Sequence, residues 1–243
     1  MVAAMSLFYV GGMYLNDAFD REIDRRERPG RPIPSGEIAT STVFGAGFGM
    51  LVVGVSIMAL HGWKPGLAGA ALAGAVLVYD LDHKGNRFSP LVMGLCRALV
   101  YVGAGLAVSG EIVVPVLLGS VALFAHVVGL TYAAKQESLN RIDRLWPLAV
   151  LAVPFFVAVP GLTSGLYAAP VIACLALIVA DAVAVDMLRR RRPGAVPRAV
   201  GLLIAAIALV DGLLVAPVSA TVALVCAAGF MGTSALQRVI PGT

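Results

Sequence analysis

The run IATSTVFGAGFGMLVVGVSIMAL, residues 38–60, contains no acidic or basic side chain. A helix needs about 20 mostly apolar residues to cross the hydrocarbon core of a bilayer, so this run predicts a membrane-spanning helix. Its glycines Gly45, Gly47 and Gly49 favour close helix packing, because small residues let membrane helices approach one another. The run therefore predicts an integral membrane protein rather than a soluble domain.

Similar apolar runs, separated by charge clusters and by glycine or proline, extend this prediction to the whole chain. They lie at 1–19, 65–79, 89–109, 112–134, 145–160, 166–188, 198–216 and 218–237. Hydrophobic residues make up 59% of the chain and charged residues 13%, against about 45–50% and about 25% in soluble domains. The expected fold is all-α: a polytopic bundle of about eight or nine transmembrane helices that forms one domain over residues 1–243. The runs at 65–79 and 145–160 are short enough to be tilted or partly re-entrant.

The basic residues predict how this bundle is oriented. Once the loop after the first run is placed inside the cell, all of them except Lys64 and Arg97 fall in or beside alternate loops. These inside loops are 20–37, 80–88, 135–144, 189–197 and the C-terminal tail. The predicted location is the inner cell membrane, with the polar loops in the cytoplasm. No basic surface is interleaved with exposed aromatics, so nucleic-acid binding is not expected.

Polar side chains gather where the first run enters its loop, in the segment Asn16-Asp17-Ala-Phe-Asp20-Arg-Glu-Ile-Asp24. On a helix, Asp17, Asp20 and Asp24 fall within about 60° of one another, and Asn16 lies roughly 40° further round. Three like charges so close repel unless a cation or a basic partner offsets them. Mg²⁺ prefers oxygen ligands together with substrate phosphates, so the stripe predicts a magnesium site. A solvated helix end with Asp–Arg pairs is the alternative.

Basic side chains suited to phosphate follow this stripe. The proline-stiffened loop 25–36 includes Arg28 and Arg31, whose guanidinium groups can donate to phosphate oxygens. An ordinary inside loop is the alternative reading of these arginines. Lys84 is a compact donor that suits a diphosphate oxygen. Arg97 lies roughly two turns into an apolar run, so it must face an interior cavity or pair with a counter-charge such as one of the aspartates.

A third polar segment follows the run that ends at residue 134. If the helix continues beyond Tyr132, then Glu137, Asn140, Arg141 and Arg144 share one stripe. This stripe mirrors the first segment in position and polarity, but it contains fewer carboxylates.

Some further polar residues are isolated within apolar runs. His126, Asp181 and Asp211 have no partner that the sequence reveals, so a structural role is favoured for each, although an intramembrane acid is a functional candidate by default. Asp186 can pair with an arginine one helical turn later.

The segment from Asn16 to Asp24, with the following RERPGRPIPSG at 26–36, resembles the first aspartate-rich motif of the UbiA superfamily of intramembrane prenyltransferases. The segment from Tyr79 to Lys84 and the pattern GxxRxxxY at 94–101 resemble the region of that family's fourth and fifth helices. The resemblance covers most of the chain in order and is strongest in its first forty residues.

The chain also departs from the family pattern. The second aspartate-rich motif, a tyrosine followed by aspartates at four and eight positions, is represented by Tyr132, Gln136 and Asn140. The family's first motif follows its second helix, whereas here it follows the first run. One helix is thus expected to be absent at the front and one span to be added at the back. In these respects the chain is similar to divergent, prenyltransferase-like proteins of bacterial secondary-metabolite clusters.

The resemblance implies Mg²⁺-dependent transfer of a prenyl group from an isoprenoid diphosphate to a small acceptor, with an aromatic ring as the expected acceptor. It implies metal binding by Asn16, Asp17, Asp20 and Asp24, and catalytic roles for Asp17, Asp20, Asp24 and Glu137. It implies substrate binding by Asn16, Arg28, Arg31, Lys84, Asn86, Arg97, Tyr132 and Asn140. Two alternatives stay open: a catalytically inactive homologue, which the altered second motif favours, and a transporter of small molecules.

Overall fold

The computed structural model describes residues 1–83, 86–135, 146–163, 168–190, 192–237 and 239. All regular elements in these ranges are helical. They are α1 (Val2–Phe19), α2 (Arg21–Glu27), α3 (Thr40–Ala59), α4 (Trp63–Asp82), α5 (Ser89–Ser109), α6 (Val114–Ala134), a 3₁₀ helix (Trp146–Ala152), α7 (Val153–Thr163), α8 (Ala168–Arg190), α9 (Ala195–Val215) and α10 (Ala220–Leu236). The chain forms two compact units, Met1–Leu117 and Leu118–Thr243. The single-domain organisation expected from the sequence stays a prediction.

The first unit packs α1 against α3 and α4, and α4 against α5. Its buried core includes Phe8, Leu15, Leu51 and Met58. A methyl group on Gly47 would lie 2.7 Å from Cγ of Leu15, so only a glycine allows α1 and α3 to approach this closely. The same group on Gly45 or Gly49 would meet no described atom within 4 Å. The packing role predicted for the three glycines is therefore confirmed for Gly47 alone, because its neighbours along the helix point to other faces.

The second unit has its own core, formed mainly by α8 and α9 with residues from α6 and α7. This core contains Ala122, Ala158, Leu177, Ala180, Ala206, Leu209, Val210 and Leu213. His126 of α6 is completely buried, and its Nε2–H donates to the backbone carbonyl oxygen of Leu203 in α9 at 3.0 Å. This hydrogen bond joins two helices, which gives His126 the structural role that the sequence favours.

Each of the nine apolar runs overlaps a described helix, but not every one of these helices is long and apolar enough to cross a membrane. Within the described ranges, the helices long and apolar enough to cross a membrane are α3, α5, α6, α8 and α9. A multi-pass membrane protein is thus supported, whereas a count of eight or nine spans is not confirmed. The run at 65–79 belongs to the longer helix α4, because the backbone hydrogen bonds continue after the apolar residues end.

We expect His126→Ala to lower the free energy of unfolding by roughly 2–4 kcal/mol, because it leaves a cavity and removes an interhelical hydrogen bond. Thermal unfolding in detergent measures this change. His61→Ala is the matched control, because the His61 ring is exposed and contacts a nearby carbonyl, that of Ile57 at the end of the preceding helix α3, at 3.0 Å. An equal loss in both variants would contradict the structural role of His126.

Candidate functional site

The predicted stripe of polar residues lies where α1 passes into α2. Asp20, between the two helices, keeps helical backbone angles of φ −79° and ψ −1°. Its N–H donates to the carbonyl oxygen of Asn16 at 2.9 Å, and the N–H of Asp24 donates to the carbonyl oxygen of Asp20 at 2.9 Å. The helical spacing that groups Asn16, Asp17, Asp20 and Asp24 therefore continues across the junction.

Arg31 joins two carboxylates of this stripe. Its Nη1 donates to Oδ1 of Asp17 at 3.1 Å and to Oδ2 of Asp24 at 2.8 Å. The Asp24 side chain is 7% exposed and the Asp17 side chain 53% exposed, so Arg31 neutralises one buried and one accessible carboxylate. The repulsion expected among the aspartates is thus offset by a basic partner, and Arg31, predicted to bind substrate, contacts these carboxylates in the structure.

Asp20 faces the end of α4. Its Oδ2 lies 3.6 Å from Nε2 of His83, which is the distance of an ion pair when the imidazole is protonated. The His83 ring stacks on Tyr79, with ring centroids 5.0 Å apart and planes inclined by 19°. The position of His83 against Asp20 adds the end of α4 to the elements that form the site.

Asp80 also belongs to the site, because it contacts Asn16. The sequence alone predicts no role for this residue. It is 5% exposed, and its Oδ1 accepts a hydrogen bond from Nδ2 of Asn16 at 3.2 Å. Its Oδ2 is buried and has no hydrogen-bond partner in the part of the chain that the structure describes. Asp80 follows the predicted span 65–79. Burial raises the pKa of its carboxyl to about 7, while the hydrogen bond from Asn16 acts in the opposite direction.

Other residues predicted to bind substrate have different surroundings. The guanidinium of Arg97, predicted to face an interior cavity or a counter-charge, lies 5.5 Å from the centroid of the Tyr9 ring. Oδ1 of Asn86 accepts a hydrogen bond from the backbone N–H of Phe88 at 2.8 Å, immediately before α5 begins. Arg28 is exposed at the end of α2. Arg28 nevertheless acts electrostatically on the carboxylate of Asp17 in the stripe.

Three residues of the predicted site, Lys84, Glu137 and Asn140, fall outside the described residues, so their predicted roles stay predictions. Tyr132 lies in the last turn of α6 and is half-buried.

The oxygen donors of this site fit Mg²⁺ in their chemistry. Carboxylate and amide oxygens are ligands that Mg²⁺ accepts, and Oδ2 of Asp80, which has no partner among the described residues, is a buried acceptor beside Asn16. As they stand, no three His, Cys, Asp or Glu side chains in the described ranges are grouped closely enough to hold a metal ion. Because Arg31 and His83 already face the stripe, a cation would have to replace or join these partners.

Comparison with known proteins relates the chain to membrane prenyltransferases. The sequence model of the UbiA prenyltransferase family matches residues 1–205. The chain is 35% identical over 107 residues to digeranylgeranylglyceryl phosphate synthase of Metallosphaera sedula, covering 44% of this chain and 38% of that protein. It is 32% identical over 156 residues to the synthase of Methanothrix thermoacetophila (62% and 47%) and 26% identical over 148 residues to that of Saccharolobus solfataricus (58% and 52%). The matched part thus spans about half or less of these relatives' length, and no solved structure matches the chain.

Proposed function

The chain belongs to the UbiA prenyltransferase family, and on that premise we propose that its first unit binds the diphosphate of an isoprenoid substrate for Mg²⁺-dependent prenyl transfer. The observation that carries the proposal is the grouping of oxygen donors from separate helices. Asn16 of α1 contacts Asp80 of α4, and Arg31 contacts both Asp17 of α1 and Asp24 of α2. Neutralising a diphosphate needs such a combination of carboxylates for a cation and arginine for phosphate oxygens.

The roles of the side chains follow from their chemistry. Asn16, Asp17, Asp20 and Asp24 would hold Mg²⁺, which would supply the charge that stabilises a departing diphosphate. The guanidinium of Arg31 would donate to diphosphate oxygens.

The transfer itself is a substitution at carbon 1 of the prenyl group. The bond between carbon 1 and the diphosphate oxygen breaks, and the diphosphate leaves with the electron pair. The acceptor forms the new bond to carbon 1 and loses a proton. Glu137 and Tyr132 are the residues we assign to orienting this acceptor. The apolar helices accommodate the prenyl chain, and the inner cell membrane, with the polar loops in the cytoplasm, is the location we propose.

The names of the relatives indicate a second possible class of acceptor. Their names describe the synthesis of digeranylgeranylglyceryl phosphate, a lipid with two prenyl groups on glyceryl phosphate. This favours a prenylated glyceryl phosphate as an acceptor, alongside the aromatic acceptor expected from the sequence. Both classes are therefore included in the test below.

A catalytically inactive homologue is the second candidate. Arg31 already neutralises Asp17 and Asp24, which is the task that a divalent cation performs in the active enzyme. A protein whose arginine permanently replaced the cation would retain the fold and lose the reaction.

Release of diphosphate tests the proposed function. The full-length protein in lipid would be given allylic diphosphates of C10 to C20 with and without Mg²⁺, together with phenolic or prenylated glyceryl phosphate acceptors. We expect release that requires both Mg²⁺ and one acceptor class. Binding of the diphosphate without release would favour the inactive homologue. Failure to bind the diphosphate would favour the alternative that the protein transports small molecules.

A further inference from the structure

Only one of the two oxygens of the buried Asp80 carboxylate has a hydrogen-bond partner among the described residues. Oδ1 accepts the hydrogen bond from Nδ2 of Asn16, across a separation of 64 residues along the chain. Oδ2 is buried and has no partner among the described residues. The side chain reaches the site from α4, whereas the aspartates of the stripe come from α1, α2 and the residue between them.

The described surroundings do not neutralise this carboxylate. Asn16 is uncharged, and Asp20, which acts on Asp80 electrostatically, carries a like charge. Arg31 donates to Asp17 and Asp24. A buried carboxylate that lacks a partner costs free energy, so an additional positive group or a proton is needed at Oδ2.

We propose that Asp80 is a further ligand of the divalent cation, and that Oδ2 is its ligating atom. The hydrogen bond to Oδ1 also assigns the role of Asn16: because Nδ2 is used by Asp80, Oδ1 is the atom that Asn16 offers to the cation. The cation site then draws its ligands from α1, α2 and the residue between them, and from α4, which packs against α1. This inference rests on the proposed function and adds one ligand to its cation site.

Binding of Mn²⁺ to the purified protein, followed by electron paramagnetic resonance without substrate, tests this role. Asp80→Asn keeps the size of the side chain and an acceptor for Asn16, but removes the charge. We expect it to weaken Mn²⁺ binding roughly tenfold or more. Asp82→Asn is the matched control, because it removes a carboxylate that is exposed at the end of the same helix, and it should leave the affinity unchanged.

Thermal unfolding provides a second measurement. Without a cation, Asp80→Asn should be at least as stable as the wild type, because it removes a buried, unpaired charge. Mg²⁺ should raise the unfolding midpoint of the wild type and of Asp82→Asn more than that of Asp80→Asn.

Asp17→Asn separates the failure of this inference from the failure of the proposed function. If Asp17→Asn loses Mn²⁺ affinity while Asp80→Asn binds as the wild type does, Asp80 is not a ligand, and a proton neutralises it instead. If the wild type binds no Mn²⁺, or Asp17→Asn binds it normally, the proposed cation site is itself wrong.

Discussion

Asp17→Asn is expected to lower Mg²⁺-dependent diphosphate release by roughly a hundredfold or more, because it removes a charged oxygen ligand at the diphosphate. The fold should remain, since the Asp17 side chain is 53% exposed and its ion-pair partner Arg31 also contacts Asp24. Exposed ion pairs contribute only about 0–1 kcal/mol. Initial rates over a range of Mg²⁺ concentrations, together with the thermal midpoint, measure both parts of this expectation.

Asp186→Asn is the matched control for this variant. Asp186 has the same 53% side-chain exposure as Asp17 and an ion pair with Arg190 at 2.6 Å, but it lies in the second unit and outside the proposed ligand set. It should therefore retain turnover. Asp20→Asn should lose turnover as Asp17→Asn does. Near-normal rates for Asp17→Asn or Asp20→Asn would show that the first aspartate stripe is not the cation site.

Local signals in the sequence are sufficient to predict several helices and the aspartate stripe of the site. The apolar run at 89–109 coincides with α5, because Pro90 suits the first turn and Gly110 ends the helix with a positive φ of 73°. The helical period alone grouped Asp17 with Asp20 and Asp24. These features depend on residues within a few positions of one another, which is the range over which periodicity is informative.

The partners of these residues depend on contacts between distant parts of the chain. Asn16 meets Asp80 only because α1 packs against α4. The sequence ended that run at Tyr79, where the hydropathy falls, although the helix continues to Asp82. Arg31 is 14 residues from Asp17 and lies in the loop after α2. Helical periodicity cannot predict the course of such a loop. Side-chain pairs of this kind follow from tertiary packing rather than from spacing.

Arg31→Gln should have the largest effect on the stability of the first unit. Nη1 of Arg31 serves both Asp17 and Asp24, and the Asp24 side chain is only 7% exposed. Removing the guanidinium leaves a buried carboxylate without its charged partner, at a cost of roughly 2–3 kcal/mol. Saturating Mg²⁺ should recover part of this loss, because the cation replaces the missing charge. Thermal unfolding with and without Mg²⁺ measures both effects.

Arg25→Gln is the control for the loss of an arginine ion pair in the same region. The pair of Arg25 with Glu22 has a similar distance, 3.1 Å, but its side chains are 65% and 57% exposed, so its loss should cost little. Arg31→Lys should fall between the wild type and Arg31→Gln, since one ammonium group cannot reproduce the planar guanidinium geometry. Equal midpoints for Arg25→Gln and Arg31→Gln would show that Arg31 is not the stabilising partner of Asp24. Destabilisation of Arg31→Gln that Mg²⁺ leaves unchanged would show that the cation and Arg31 do not share these carboxylates.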